Sequence, residues 1–418
     1  METINNKYRI ENTLVGTGGF AEVYLGTDIS NSTSVAIKKI PTNSKRMPSG
    51  ISDLDKLNSE IDIMQKLSHP NIIKYLDVYK SPDYYYIIME YCEGGTLELV
   101  IINNETTYGG LESGFNREAD TFFYMNQLKD ALVYIKNMGY IHRDIKPQNI
   151  LLTKTNKMDT TISYEFTSNL QVKLVDFGLA KYLQCDSSSP DIKNTICGSP
   201  LYMAPELFFN KTYNSKIDVW SFGVIMYQLL FGTHFHPKNI QSAKQLADNF
   251  RLGNINFHLS KKFSPKCFDL LTKLLEKEST NRLDWDMLCD HPWFIFWKDL
   301  DIINSDVKTI EKKYNSLISN PHSQIISIDF NNIPLNNLSK MKFDNSHPKN
   351  MTYGNLHTYT HTYNTYKKSL PISIPSSSIN TPIILNKIDS FGSFEDFDEW
   401  NLDMGENHHF NLSDDMKS

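Results

Sequence analysis

The hydrophobic period of this chain changes once, near residue 90, and no other feature limits the possible folds as much. From Tyr8 to Ile88 the apolar residues fall in short alternating runs such as "RIENTLVGTGGFAEVYLGTD" and "SVAIKKI". One helical pattern, "DLDKLNSEIDIMQKLS", interrupts them. After "EYCEGGT" the spacing turns to three and four, in "READTFFYMNQLKDALVYIKNMG", "DVWSFGVIMYQLLFG" and "PKCFDLLTKLLEKE". The pattern predicts an α+β protein of two lobes, a small sheet with one main helix over about 8–90 and a larger, mostly helical lobe over about 91–295. A cleft at the hinge is the expected ligand site.

Polar stretches at about 42–52, 103–116 and 154–169 carry no periodic apolar residues and are expected to be surface insertions. Beyond Trp297 Asn, Ser, Thr, His and Pro take over, so 299–418 is expected to be a low-complexity, mostly disordered tail. A short helix is expected near Asp306–Ile318. The end of the tail, Asp389 to Asp415, holds no Lys or Arg and interleaves its acids with Phe391, Phe394, Phe397 and Trp400. Such a segment fits either a docking site for a protein partner or a purely solubilising role.

The 418 residues carry a formal charge of -6, which supplies no broad basic field for nucleic acid or an anionic membrane. Met1 to Ile10 has no apolar run resembling a signal peptide, and no window of about 18 apolar residues is long enough to span a bilayer. An intracellular, cytoplasmic protein is expected. Its five cysteines are odd in number and lack CxxC spacing, so reduced thiols are expected rather than a zinc site or disulfides.

Four constellations carry chemistry. The first is the glycine-rich "VGTGGFAEV", made of Val15, Gly16, Thr17, Gly18, Gly19, Phe20, Ala21, Glu22 and Val23. Its glycines let backbone N–H groups approach phosphate oxygens, although a plain turn is the commoner use of such a segment. In the second, "VAIKK", strand alternation puts Lys38 on the face opposite Val35 and Ile37. Glu60, on the single helix of this half, is the expected partner of Lys38, while Asp62 points about 160° away.

The third and strongest is "HRDIKPQN", His142 to Asn149. Phosphoryl transfer needs an aligned nucleophile and cations for the spreading charge. Asp144 can take a hydroxyl proton, Lys146 can neutralise a moving phosphoryl group, and Asn149 can offer Mg²⁺ its amide oxygen. In the fourth, "VKLVDFGLA", Asp176 ends a buried strand, where a carboxylate calls for a metal counter-ion. Glu206 of "CGSPLYMAPE" and Arg282 are expected to form a distant ion pair.

In order and spacing these motifs, with Asp218-Val219-Trp220, resemble the eukaryotic protein kinase family over about residues 8–295. The resemblance implies a bilobal kinase fold that takes ATP and Mg²⁺ at the hinge, with Met89 as gatekeeper. It also implies that Glu90 and Cys92 offer adenine backbone hydrogen bonds, and that Val23, Ala36 and Leu151 sandwich the ring. Lys146 and Ser199 are similar to the serine/threonine branch, so protein Ser or Thr hydroxyls are the implied acceptors. The hinge "MEYCEGGTL" and the segment "YLQCDSSSPDIKNTICGSPLYMAPELF" resemble the autophagy-initiating ULK kinases. Two features depart from that group: "LLFGTHFHPKN" lacks the usual Pro-Phe, and the tail does not align. Arg143 beside Asp144 is similar to kinases ordered by activation-loop phosphorylation, with Thr195 the expected phosphosite. A pseudokinase scaffold recruiting partners through its tail is the alternative, and the presence of Lys38, Asp144 and Asp176 argues against it. The substrate-loop segment "GSPLYMAPE" likewise disfavours a small-molecule kinase.

Overall fold

A computed structural model describes residues 2–17, 21–42, 52–107, 114–154, 170–182, 198–209, 212–236, 240, 242–252 and 263–302. The small lobe is an antiparallel sheet of six strands: β1 (Thr3–Ile4), β2 (Tyr8–Thr17), β3 (Glu22–Asp28), β4 (Thr33–Pro41), β5 (Tyr75–Lys80) and β6 (Tyr84–Glu90). Their order across the sheet is β1-β2-β3-β4-β6-β5. One helix, α1 (Ser52–Lys66), packs beside it.

Alternation along β4 divides the small lobe's two faces, as the sequence predicts. Val35 and Ile37 join Tyr8, Ile10, Tyr86 and Ile88 in an outer cluster. Ala36 and Lys38, half-buried, face the other way. The register pairs Ala36 with Met89 and Val35 with Glu90, which sets the strand carrying the lysine against the strand that leads into the hinge.

The larger lobe holds α2 (Leu97–Thr107), α3 (Gly114–Asn137), α4 (Lys216–Phe231), α5 (Ala243–Leu252), α6 (Pro265–Leu274), α7 (Trp285–Cys289) and α8 (Pro292–Ile302). Between α3 and α4 lie the short strands β7 (Tyr140–Ile141), β8 (Ile150–Lys154), β9 (Leu170–Leu174) and β10 (Lys181–Tyr182), paired β7 with β10 and β8 with β9. Helix α4 is apolar all round because it is central: Val219, Phe222, Val224, Ile225 and Met226 are fully buried. One continuous core joins it to α3, α6 and the Trp293-Phe294-Trp297 cluster of α8.

Two boundaries differ from expectation. The stretch 103–116 is not only an insertion, because α2 runs to Thr107 and α3 starts at Gly114. Once an apolar turn is anchored, each further residue adds a hydrogen bond without a new nucleation cost, so polar residues extend the helix. For the same reason α8 continues from its buried tryptophans to Ile302, past the domain end placed at 295 and into the tail assigned from 299. The helix expected near 306–318 and the rest of the tail lie outside the described residues. Among the described residues, Cys92, Cys267 and Cys289 are free thiols, and no helix is long and apolar enough to cross a membrane.

Candidate active site

Lys38 and Glu60 meet at 2.6 Å, bringing β4 and α1 together, and Asp176 approaches the same ammonium at 3.9 Å. Burial works to lower the Lys38 pKa, but the two carboxylates outweigh it and hold the amine above its ordinary value. Burial likewise works to raise Asp176, whereas Lys38, His142 and the Gly178 N–H hold it below the usual carboxylate range. Lys38 and Asp176 are therefore both charged at neutral pH. Asp62 is exposed on the other face of α1, as its 160° offset requires.

The segment after β7 is held in an uncommon conformation. Arg143 and Asp176 both have positive φ, 69° and 67°, which non-glycine residues adopt only when the surroundings compel it. Asp218, at the start of α4, compels the first by accepting the N–H groups of His142 (2.8 Å) and Arg143 (3.0 Å). Burial pushes the Asp218 carboxyl up, and those two donors with His142 and Arg143 pull against it. The His142 ring donates to the Val175 carbonyl at 3.1 Å and accepts the Asp144 N–H at 3.3 Å. Phe177 packs on that ring at 5.1 Å, edge to face, which locks the strand bearing Asp176 to the loop bearing Asp144.

Asp144 is buried and both its oxygens are engaged. One accepts from Asn149 Nδ2 (3.0 Å) and faces Lys146 Nζ (2.8 Å). The other accepts from the Ser199 N–H and hydroxyl, each at 3.0 Å. Lys146 also donates to Ser199 Oγ at 2.9 Å. Ser199 comes this close because Gly198, at φ 106°, lies where a Cβ would be 2.5 Å from the Arg143 carbonyl. The Asn149 amide nitrogen is committed to the backbone and side chain of Asp144, leaving its oxygen for a hard cation. Together with the half-exposed Asp176 carboxylate, this donor set suits Mg²⁺.

The family model for the protein kinase domain matches residues 9–294. The chain belongs to the protein kinase family. Among curated proteins it is 48% identical over 354 residues to a mimivirus chain (Acanthamoeba polyphaga mimivirus, R517/R518) whose name assigns it to the serine/threonine-protein kinases, covering 82% of this chain and 77% of that one. It is 31% identical to the serine/threonine-protein kinase ATG1 of Komagataella pastoris, over 66% of this chain and 36% of that one. With atg1 of Dictyostelium discoideum the identity is 34%, over 67% and 38%. The chain thus spans little more than a third of those two ATG1 relatives.

In this kinase domain most of the residues expected to line the adenine side lie close to the hinge. Gly16 pairs with Val23 and Thr17 with Glu22 across the β2–β3 hairpin, and Val15 is half-buried on it. Gly18, Gly19 and Phe20 lie outside the described residues, whereas Ala21 packs on the main core. Leu151 is half-buried between fully buried Ile150 and Leu152 and bridges Thr96. Gly94 accepts no larger residue, since a Cβ would lie 2.7 Å from the Leu152 carbonyl. The Glu90 N–H is already spent on the Lys74 carbonyl at 3.0 Å, so only its carbonyl remains for a ligand. Cys92 is a thiol pushed up to about 12 by burial and Glu90.

Three contacts of the site could not be read from the sequence, although the residues lie in its motifs. Lys173 pairs with Glu90 at 2.8 Å and ties the hinge to β9, directly before Asp176. Gln148 donates to Glu98 at 2.6 Å, and burial pushes that carboxyl up. Arg143, expected to meet a phosphate, donates to the Leu179 carbonyl and the Tyr213 hydroxyl. Thr195 lies outside the described residues. The distant pair formed as expected: Arg282 grips Glu206 through two bonds of 2.7 and 2.8 Å.

Proposed function

We propose that the chain is an active serine/threonine protein kinase of the non-specific class, moving the γ-phosphoryl group of ATP to Ser or Thr hydroxyls of proteins. The reading is supported most by two adjoining sets of contacts: Lys38 lies between Glu60 and Asp176, and Asn149 and Lys146 hold Asp144, the two sets being joined through His142. Asp144 orients the acceptor hydroxyl and takes its proton late, its two oxygens held in place by Asn149 and Ser199. Lys146 stands beside Asp144 to balance charge as the proton moves. Lys38, pinned by Glu60, holds the α- and β-phosphates. Asn149 and Asp176 would hold Mg²⁺, which when bound neutralises phosphate charge. Val15 to Val23, Ala36, Met89, Cys92 and Leu151 shape the adenine and ribose side. The scaffold alternative gains no support from any contact in the cleft.

Acceptance of a Ser or Thr hydroxyl rests on Lys146 and Ser199, which pair across the catalytic aspartate. The ATG1 names belong to those relatives, and a similar branch for this chain is part of the proposal. So are a cytoplasmic location, a tail-binding protein partner and Thr195 as a phosphosite that pairs with Arg143. Transfer of labelled phosphate from ATP to a mixed Ser/Thr peptide set tests the reading. The Asp144→Asn protein should lose about 10²–10³-fold in rate while keeping its nucleotide-induced thermal shift. Equal incorporation by both proteins would refute it.

A further inference from the structure

A groove of about 530 Å³ opens on the large lobe away from the catalytic cleft, between the turn Pro205–Phe209, the start of α4 and the loop after α6. That volume falls in the roughly 300–1,000 Å³ range of cavities that hold ligand-sized groups. Pro205, Phe209 and Tyr213 give it apolar walls, and the Lys216 and Lys277 side chains line it. Each ammonium donates to a backbone carbonyl, Lys216 to Arg282 and Lys277 to Phe250, both at 2.8 Å. Neither has a carboxylate ion-pair partner among the described residues. The guanidinium of Arg251, 5.4 Å above the Phe209 ring, adds a cation shared with Asp248. Of the carboxylates here, Glu206 is consumed by Arg282, which leaves Glu278 as the opposing lining charge. The groove is therefore apolar at its walls and modestly positive at its rim.

We propose that the acidic, aromatic segment 389–415 of the chain's own tail docks in this groove. The segment matches it on both counts. Phe391, Phe394, Phe397 and Trp400 recur every three residues, and Glu395, Asp396, Asp398 and Glu399 lie among them without a single Lys or Arg. Aromatic rings bury large apolar area against walls such as Phe209 and Tyr213, and carboxylates meet the lysines their carbonyl partners leave unneutralised. Residues 303–388 form the tether between α8 and the segment. Its contour, on the order of 300 Å, exceeds the width of the domain, so every face lies within reach. A tethered segment also sees an effective concentration near the millimolar range, which favours it over a free competitor of equal affinity. The occupied groove would rest on Tyr213, whose hydroxyl holds Arg143, and on the Glu206–Arg282 pair.

Zero-length carbodiimide coupling of the full-length protein, read by mass spectrometry on the monomer, tests the proposal. Lys216 and Lys277 should join to carboxylates between Glu395 and Asp403. In a mixture of isotopically heavy and light chains, those links should be heavy-heavy or light-light. Replacing Phe391, Phe394, Phe397 and Trp400 together by Ser should lower their yield about tenfold or more, as should Lys277→Glu. Combining Lys277→Glu with Glu395→Lys and Asp396→Lys should restore a link of reversed polarity, a readout that a misfolded groove cannot mimic. Absence of links from both lysines to the segment overturns the proposal, and so do mixed heavy-light links, which would assign the groove to a second copy. Links unchanged by the four Ser replacements would also overturn it.

Discussion

Two buried ion pairs, one in each lobe, use the same chemistry toward opposite ends. Arg282 spends all five N–H groups: two on Glu206, and one each on the carbonyls of Glu276, Lys216 and Lys277. Its guanidinium also lies 5.1 Å from the Trp220 ring centre, and its side chain is 0% exposed against 4% for Glu206. Lys38 spends one donor on Glu60 and keeps 20% of its side chain open to the cleft. A saturated pair has nothing left to offer a ligand and serves only to hold the large lobe together. An unsaturated pair keeps donors free for phosphates, at the cost of contributing less to stability.

The sharpest way to break this contrast is to remove one partner of each pair. Arg282→Met leaves the Glu206 carboxylate buried and alone, and should cost about 3–5 kcal/mol of unfolding free energy in a denaturant titration. Adding Glu206→Leu should return most of that loss, since a buried pair replaced whole by apolar groups is often neutral. A single-mutant loss under about 1 kcal/mol would mean that the pair is not structural. Lys38→Met should show the reverse profile. Its phosphoryl-transfer rate should fall about 10²–10³-fold, equivalent to roughly 2.7–4 kcal/mol of barrier, with a smaller loss of stability than Arg282→Met, because Lys38 gives up one hydrogen bond where Arg282 gives up five. Wild-type turnover by this variant would contradict the assignment of Lys38 to the phosphates.

The contrast also marks how far the sequence was legible. Lys38, Glu60, Asp144, Asn149 and Asp176 could be placed because strand alternation, helix phase and motif order each act over a few residues. Glu206 and Arg282 could be paired because both stand at motif positions of the family the sequence resembles. Lys173, Ser199 and Tyr213 could not be assigned their contacts, because those depend on where separate loops finish in space. The φ of 106° at Gly198, which lets Ser199 reach Asp144, has no local sequence signature beyond the glycine itself. Helix ends escaped as well. At Thr107, Gly114 and Ile302 the helices run into polar sequence because propagation is cheap once an apolar turn is anchored.

The large lobe also holds buried polar groups that are not saturated. His234 and His236 stack at 4.7 Å, with His234 against the Tyr202 ring, and His234 Nε2 and both nitrogens of His236 lack hydrogen-bond partners. Neither ring has a carboxylate partner among the described residues. Burial pushes His234 down to about 3, against the pull of the Leu201 carbonyl, and burial with His234 lowers His236 further below its ordinary range. The sign follows from linkage: the unfolded chain binds protons near pH 6.5 and the folded chain does not, so stability must fall as pH drops from about 6.5 toward 3. At pH 4.5, His234 alone should account for roughly 2–3 kcal/mol. Replacing His234 and His236 together by Phe removes both titrations, so the stability lost between pH 7.0 and 4.5 should shrink by at least that amount. An unchanged slope in the Phe variant would show that these rings reach water.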